Sequence, residues 1–279
     1  MRCLGIPPSQ ILTFGEVLST NTLETLLADL HDLAQQEPEI GSRALSIDGK
    51  QCGYVSPRAF GTISRYWPAL VSDTTVNFCS GDHLTEQLAQ VAGALLDAGC
   101  IPKWRDELLD VWCENNAVAA IERGAVRSLG LLTRAVHLNA WSLDGRLWAA
   151  RRALDKATDP GMWDTLVGGL VGHGEPDELA LERESEEEAG LLPAQIAQRQ
   201  PLVSVYRMRR RVPEGYQYEE VLTCDCVLTE GVIPQNQDGE VMQIECLSPT
   251  DVQSMLLEGL FTVEASIVIA QSLLARQRY

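Results

Sequence analysis

The chain has 279 residues, enough for roughly two domains at about 150 residues each and for a core that needs no disulfide or metal staple. Hydrophobic residues at 45% and charged residues at 22% exclude disordered, collagen-like and fibrous chains. With 22 basic against 39 acidic side chains the net charge is −17, the wrong sign for a general nucleic-acid binder.

The opening MRCLGIPPSQILTFGEV holds no apolar run of signal-peptide length. No stretch approaches the ~20 apolar residues of a membrane span, so no membrane partner is expected. The eight cysteines are scattered without a CxxC pair or a histidine at ligand spacing, which argues against zinc and for a reducing, cytoplasmic setting.

In chain order, residues 1–24 have weak periodicity and read as an extension. The leucines at 26, 27, 30 and 33 predict an amphipathic helix over 23–33. Short strands are expected at 44–47 and 53–55, then a helix at 56–67 with Ser56 as its N-cap and Pro57 at its first position. A further helix is expected over 84–98, stopped by Gly99. Residues 25–130 thus read as a small α+β domain, with the boundary near Gly130.

The second part, 131–279, has a different pattern. Strands are predicted at 135–141 and 145–152, joined by Leu143-Asp144-Gly145. An apolar run at 166–171 precedes a strongly helical stretch at 176–189, closed by Gly190. Strands at 202–211 and 218–228 and helices at 249–258 and 263–276 complete an α/β/α sandwich.

Within the 176–189 helix, Glu184, Glu187 and Glu188 stand at i, i+3 and i+4 and share one face. Like charges so placed repel, and Arg183 is the one basic residue in the stretch. A hard divalent cation relieves such repulsion; Mg²⁺, with Mn²⁺ as the alternative, is commonly bound by a few carboxylates, waters and substrate phosphates. Glu186, at i+2, is expected to point elsewhere.

Gly169, Glu175, Arg183, Glu184, Glu187, Glu188, Gly190 and Leu191 together match the box G-x5-E-x7-R-E-U-x-E-E-x-G-U, with Ser185 in place of an aliphatic residue at the first U. The chain therefore resembles the Nudix hydrolases. Trp104-Arg105-Asp106-Glu107-Leu108, Ile121-Glu122-Arg123, Val136-His137-Leu138-Asn139 and Asp238-Gly239-Glu240-Val241 are similar to one branch, the thiamine-pyrophosphokinase-related Nudix hydrolases, over roughly residues 25–279.

The resemblance implies a metal-dependent pyrophosphohydrolase with Glu184, Glu187 and Glu188 as metal ligands and Gly169, Glu175, Arg183 and Gly190 as structural members of the box. For this branch it implies cleavage of thiamine diphosphate or its oxidised forms to the monophosphate. The alternatives are an ADP-ribose, dinucleotide or oxidised nucleoside diphosphate hydrolase, and a Nudix-fold sensor without turnover. Glu240 is the candidate general base beside Glu188. Arg152, Lys156, Arg207 and Arg209 are candidate phosphate contacts, since Arg holds phosphate oxygens bidentately. The alternation of a strand puts Arg207, Arg209 and Arg211 on one face and Arg210 on the other. His137 reads as a hydrogen-bonded structural histidine and His173 as a solvent-facing one. A pocket suited to oxidised thiamine should lack a carboxylate facing the thiazolium. The N-terminal domain is expected to cover one side of the pocket or to form a homodimer contact, leaving 131–279 sufficient to build the metal site.

Overall fold

The computed structural model describes residues 18–237 and 239–277. Residues 1–17, most of the expected extension, and Asp238, part of one quoted match, lie outside the described residues.

The first helix, α1 (Thr20–Leu33), starts where the Ser19 hydroxyl accepts from the Thr22 amide. It is followed by β1 (Arg43–Ile47), β2 (Lys50–Val55), α2 (Pro57–Tyr66), β3 (Thr75–Phe78), α3 (Leu84–Asp97), β4 (Leu108–Cys113), β5 (Asn116–Glu122) and the short α4 (Val126–Leu129). Ser56 caps α2 through the Ala59 amide, with Pro57 opening the helix. A three-stranded sheet in the order β2-β1-β3 and the β4–β5 hairpin enclose one core with α2 and α3.

In this first part of the chain two sets of strands escaped sequence reading. The β3 strand has only four residues. The β4–β5 turn is built on Glu114 and Asn115, both with positive φ (48° and 70°). Such a turn normally advertises itself with Asn-Gly or Asp-Gly. Gly130 closes α4 at φ 55°, and a β-carbon there would lie 2.6 Å from the Tyr54 carbonyl oxygen, so only glycine fits.

The second part contains β6 (Leu132–Trp141), β7 (Leu147–Arg152), β8 (Trp163–Thr165), β9 (Val167–Leu170), α5 (Asp177–Ala189), β10 (Val203–Val212), β11 (Gly215–Val227), β12 (Val241–Leu247), α6 (Pro249–Leu257) and α7 (Val263–Gln277). One seven-stranded mixed sheet runs β10-β11-β6-β7-β12, with β8 on β7 and β9 on β6. Here β11 lies parallel to β6, Glu219 beside Thr133 and Thr223 beside His137. The even positions of β6 (Val136, Leu138, Ala140) pack with Leu181 and Ala189 of α5 on one face, and α7 covers the other. This is an α/β sandwich with an additional N-terminal domain.

The sheet splits in the middle, and the split positions the site. β6 pairs with β7 only at Ala140 and Trp141, then parts from it. The kinked β8–β9 ribbon fills the gap, with β8 on β7 and β9 on β6 at 135–138. The segment from β9 into α5 thereby lies across the opening.

α1 does not join the first core. Its buried leucines, Leu23, Leu26, Leu27 and Leu30, pack with Phe261, Ile267 and Val268 at α7. The chain beyond α1 then adds to the edge of β10: Arg209 N donates to Ala34 O (2.7 Å) and Gln36 N to Arg209 O (2.8 Å). Residues 131–279 alone would leave that apolar face of α7 bare.

Candidate active site

Asp177 and Glu178 occupy the first turn of α5, where the helix dipole favours acids, and Gly190 ends the helix at φ 63°. Ser185 is fully buried among the apolar residues of the helix, its hydroxyl without a partner, and Glu186 is exposed.

The acid row of α5 runs from solvent to core. The Glu187 side chain is 53% exposed and the Glu184 side chain 13%, while Glu188 is 8% exposed. Arg183 organises the outer part. Its Nε and Nη2 donate to the two Glu175 oxygens at 2.9 Å each, and its Nη1 donates to Glu184 (2.7 Å) and Glu187 (3.2 Å). Glu175 also accepts the Gly172 amide (2.9 Å), which fixes the loop before the helix. The Arg183 hydrogen bonds hold Glu175 below the usual carboxylate range.

The inner part lacks such compensation. Glu188 accepts one hydrogen bond, from the Gly168 amide at 2.9 Å. Burial pushes its pKa up to about 8; the amide works against the rise and neighbouring Glu184 adds to it. Glu184 is raised by burial too, with Arg183 opposing. Gly169 makes room for this pair, because a β-carbon there would overlap the Glu184 carboxylate.

Among the described residues no three metal-ligating side chains converge at metal-holding distance, since Glu187 turns to Arg183. The donor set still fits a hard divalent cation. It offers oxygen only, and Glu188, buried with one amide donor and a second carboxylate beside it, carries a cost that a cation removes.

A cavity of about 490 Å³ opens beside these acids on the α7 face of the sheet. Gly168, Gly169 and the three α5 carboxylates form one end. Arg152, Lys156 and Asp164 from the β7–β8 region and Glu240 before β12 form the adjoining wall. Arg152 donates to Asp164 (2.8 Å) and to the Thr158 carbonyl, and Lys156 pairs with Glu240. Desolvation works against the charge of exposed Glu240, yet Lys156 holds it below the usual carboxylate range.

The remaining walls were missed by sequence reading. Glu107, Arg123 and Arg127 reach the cavity from the N-terminal domain, and Gln217, Glu219 and Glu264 line its inner end. Gln217 and Glu219 alternate along β11 like a solvent-facing strand face, and nothing local shows that α7 covers it. Glu219 and Glu264 add two buried carboxylates to this inner end.

Two proposed phosphate contacts are not at the cavity. Arg207 pairs with Glu220 (3.5 Å) and Arg209 lies over the Tyr218 ring (5.2 Å), neither of them lining the cavity. The alternation of β10 instead turns Arg210 inward, where it bonds Asp159 (2.7 Å) and Gln217 (3.3 Å). His137 hydrogen-bonds Thr165 (3.0 Å) as a buried structural residue. His173 has a partner from the N-terminal domain: its Nδ1 donates to Asp110 of β4 (2.6 Å), its backbone N donates to Leu108 O (2.8 Å), and the Gly174 amide also reaches Asp110.

Comparison with known proteins agrees with this architecture. Residues 131–268 match the family described as NUDIX domain, and residues 26–133 match a domain of unknown function (DUF4743). The chain carries a Nudix domain behind a distinct N-terminal domain. Nudix hydrolase 20, chloroplastic, of Arabidopsis thaliana is 36% identical over 193 residues, covering 66% of this chain and 51% of the relative. Nudix hydrolase 24, chloroplastic, of the same plant is 35% identical over 192 residues, covering 66% and 52%. The chain thus spans about half the length of these curated relatives. A solved structure from Deinococcus radiodurans shares 23% identity with a TM-score of 0.44, covering 60% of this chain and 96% of that one.

Proposed function

We propose that the protein is a divalent-cation-dependent Nudix hydrolase that splits a diphosphate linkage with water and releases a monophosphate. Thiamine diphosphate and its oxidised forms are the substrate class. The observation that carries the reaction is Glu188, desolvated with one amide donor and set beside the Glu184 carboxylate, at the end of a cavity lined by Arg123, Arg127, Arg152 and Lys156.

In this reading Glu184, Glu187 and Glu188 hold Mg²⁺ or Mn²⁺. A cation there supplies charge neutralisation for the diphosphate oxygens and makes water a better nucleophile at neutral pH. The chain's own cations bind and orient the phosphates, with Arg123 and Arg127 brought by the N-terminal domain. Glu240, charged beside Lys156, takes the proton of the attacking water; the new P–O bond forms as the bridging P–O bond breaks. Arg183 and Glu175 keep the loop and the acid row in register.

The thiamine assignment rests on the resemblance across residues 25–279 and on a cavity wall contributed by the N-terminal domain. The names of the plant relatives support hydrolase chemistry without giving a substrate. Oxidised thiamine diphosphates are expected to exceed the intact form, and both to exceed ADP-ribose. Seven described cysteines are free thiols, in keeping with a reducing compartment such as the cytoplasm. Among the described residues no helix is long and apolar enough to cross a membrane.

Monophosphate release should be compared for intact and oxidised thiamine diphosphates, ADP-ribose and a nucleoside diphosphate at one Mg²⁺ concentration. Higher kcat/KM for the thiamine compounds is expected. A clear preference for ADP-ribose would overturn the substrate assignment and leave the hydrolase chemistry standing.

A further inference from the structure

The protein has a second cavity, also of about 490 Å³, which shares no lining residue with the first. It lies on the same face of the sheet, between β10, β11 and the C-terminal half of α7. Its floor is built from buried polar groups. Asn139 and Ser272, 1% and 6% exposed, donate to the two carboxylate oxygens of Asp225, and Asn139 also donates to the Val268 carbonyl (3.2 Å).

Asp225 in turn holds Arg276. The Arg276 Nε lies 3.4 Å from Asp225 Oδ2, and the guanidinium is laid over the Trp141 ring, 4.1 Å from its centroid. An arginine in the last turn of a helix commonly satisfies the open carbonyls there. Arg276 takes another course. Among the described residues it donates to none of those carbonyls, and neither Nη nitrogen has a partner. Its side chain lines the cavity and is 36% exposed, so the unused donors are within reach of a ligand. The side-chain amides of Gln200 and Gln271, on the cavity wall, also form no hydrogen bond among the described residues.

Pinning the end of α7 to β11 explains the Asp225–Arg276 pair. It does not explain why three side chains with spare donors converge on one void of ligand size. The kind of ligand follows from charge and shape. A planar guanidinium fixed on a ring presents a fork that matches a carboxylate. Asp225 already balances the Arg276 charge, so the site is neutral before anything binds. In a chain of net charge −17 a monoanion is then the smaller electrostatic burden, and a phosphate dianion the larger. Val203 and Val205 of β10 and Val268 of α7 give the rest of the cavity an apolar wall, suited to a short hydrocarbon body.

We propose that this cavity is a second ligand site, which takes a small monocarboxylate with an aliphatic body. Arg276 binds the carboxylate, Gln200 and Gln271 hydrogen-bond its flanks, and the valines cover its chain. Asp225, Asn139 and Ser272 hold Arg276 in place. The site uses none of the α5 acids and none of the arginines of the first cavity, so it stands or falls separately from the hydrolase reading.

The test is calorimetric titration of the full-length protein in EDTA at neutral pH with hexanoate, its neutral amide, and hexyl phosphate. The same titrations are made on Arg276→Gln and on Val203→Trp, which fills the cavity from a position on β10 that is 52% exposed. The wild type is expected to bind hexanoate at least about tenfold tighter than either hexanamide or hexyl phosphate, as a charge-assisted contact to a balanced arginine requires. Both variants should lose that binding. No binding of hexanoate, equal binding of hexanoate and hexanamide, or tighter binding of hexyl phosphate would overturn the proposal. So would hexanoate binding that persists in Val203→Trp, since the ligand would then sit elsewhere. The wild-type ratios and Val203→Trp leave Asp225 paired, so a misfolded Arg276→Gln would not rescue the proposal.

Discussion

Glu188 of α5 and Asp110 of β4 are equally buried, at 8% exposure each, and both lie beside the loop that leads into α5. Asp110 is answered by an imidazole N–H and a backbone amide of that loop. Glu188 has one amide and, next to it, another carboxylate. A buried acid whose donors come from the protein fastens two parts of the fold together. One whose nearest companion is a like charge has its counter-charge still to come, and that difference assigns Asp110 to architecture and Glu188 to chemistry.

The largest effect should follow from the chemical side of this contrast. Glu188→Gln and Glu187→Gln are expected to lower kcat on the order of 10²-fold or more while the fold persists, because they remove charge from the cation site. Exposed Glu186→Gln should keep wild-type rates. Equal damage at position 186 would break the assignment of the helix face.

The architectural side should yield a smaller and different response. Asp110→Asn leaves the His173 and Gly174 donors poorly matched, at an expected cost of about 1–3 kcal/mol in denaturant unfolding. Loss of kcat should be near tenfold, since the α5 acids keep their own partners. If Asp110→Asn matched Glu188→Gln in kcat and left stability untouched, the two roles would have to be exchanged.

The smallest effect is on pH. The unfolded chain releases the Glu188 proton near 4.5, whereas the folded chain keeps it until about 8. Between those values the folded state holds more protons, so the stability of metal-free protein should fall as pH rises through that window. Mg²⁺ competes with the same proton, so its increment in Tm should be greater at pH 8.5 than at pH 6. A Mg²⁺ increment independent of pH would separate Glu188 from cation binding.

How far these groups are legible in sequence follows from how they are assembled. The α5 acids lie within five consecutive residues, and helical spacing alone puts Glu184, Glu187 and Glu188 together. Capping residues likewise announce α2 and the end of α5. Asp110 is unreadable for the opposite reason: it meets His173 only because the β4–β5 hairpin docks on the loop before α5, more than sixty positions away. Gln217 and Glu219 mislead by looking like a wet strand face. The arginines of β10 show both sides at once, since their alternation is readable but the face that meets the cavity is set by neighbouring strands, so Arg210 takes the inward place expected for Arg207 and Arg209. α1 is readable as a helix, yet its partner α7 lies at the far end of the chain.

The most direct test of the account is monophosphate release from thiamine diphosphate and ADP-ribose by the full-length protein, measured with Mg²⁺, after EDTA, and after Mg²⁺ is restored. The account predicts turnover with Mg²⁺, its loss in EDTA, and full recovery on restoration, with Glu188→Gln failing to recover under the same conditions. Undiminished turnover in EDTA, or full recovery by Glu188→Gln, would contradict it.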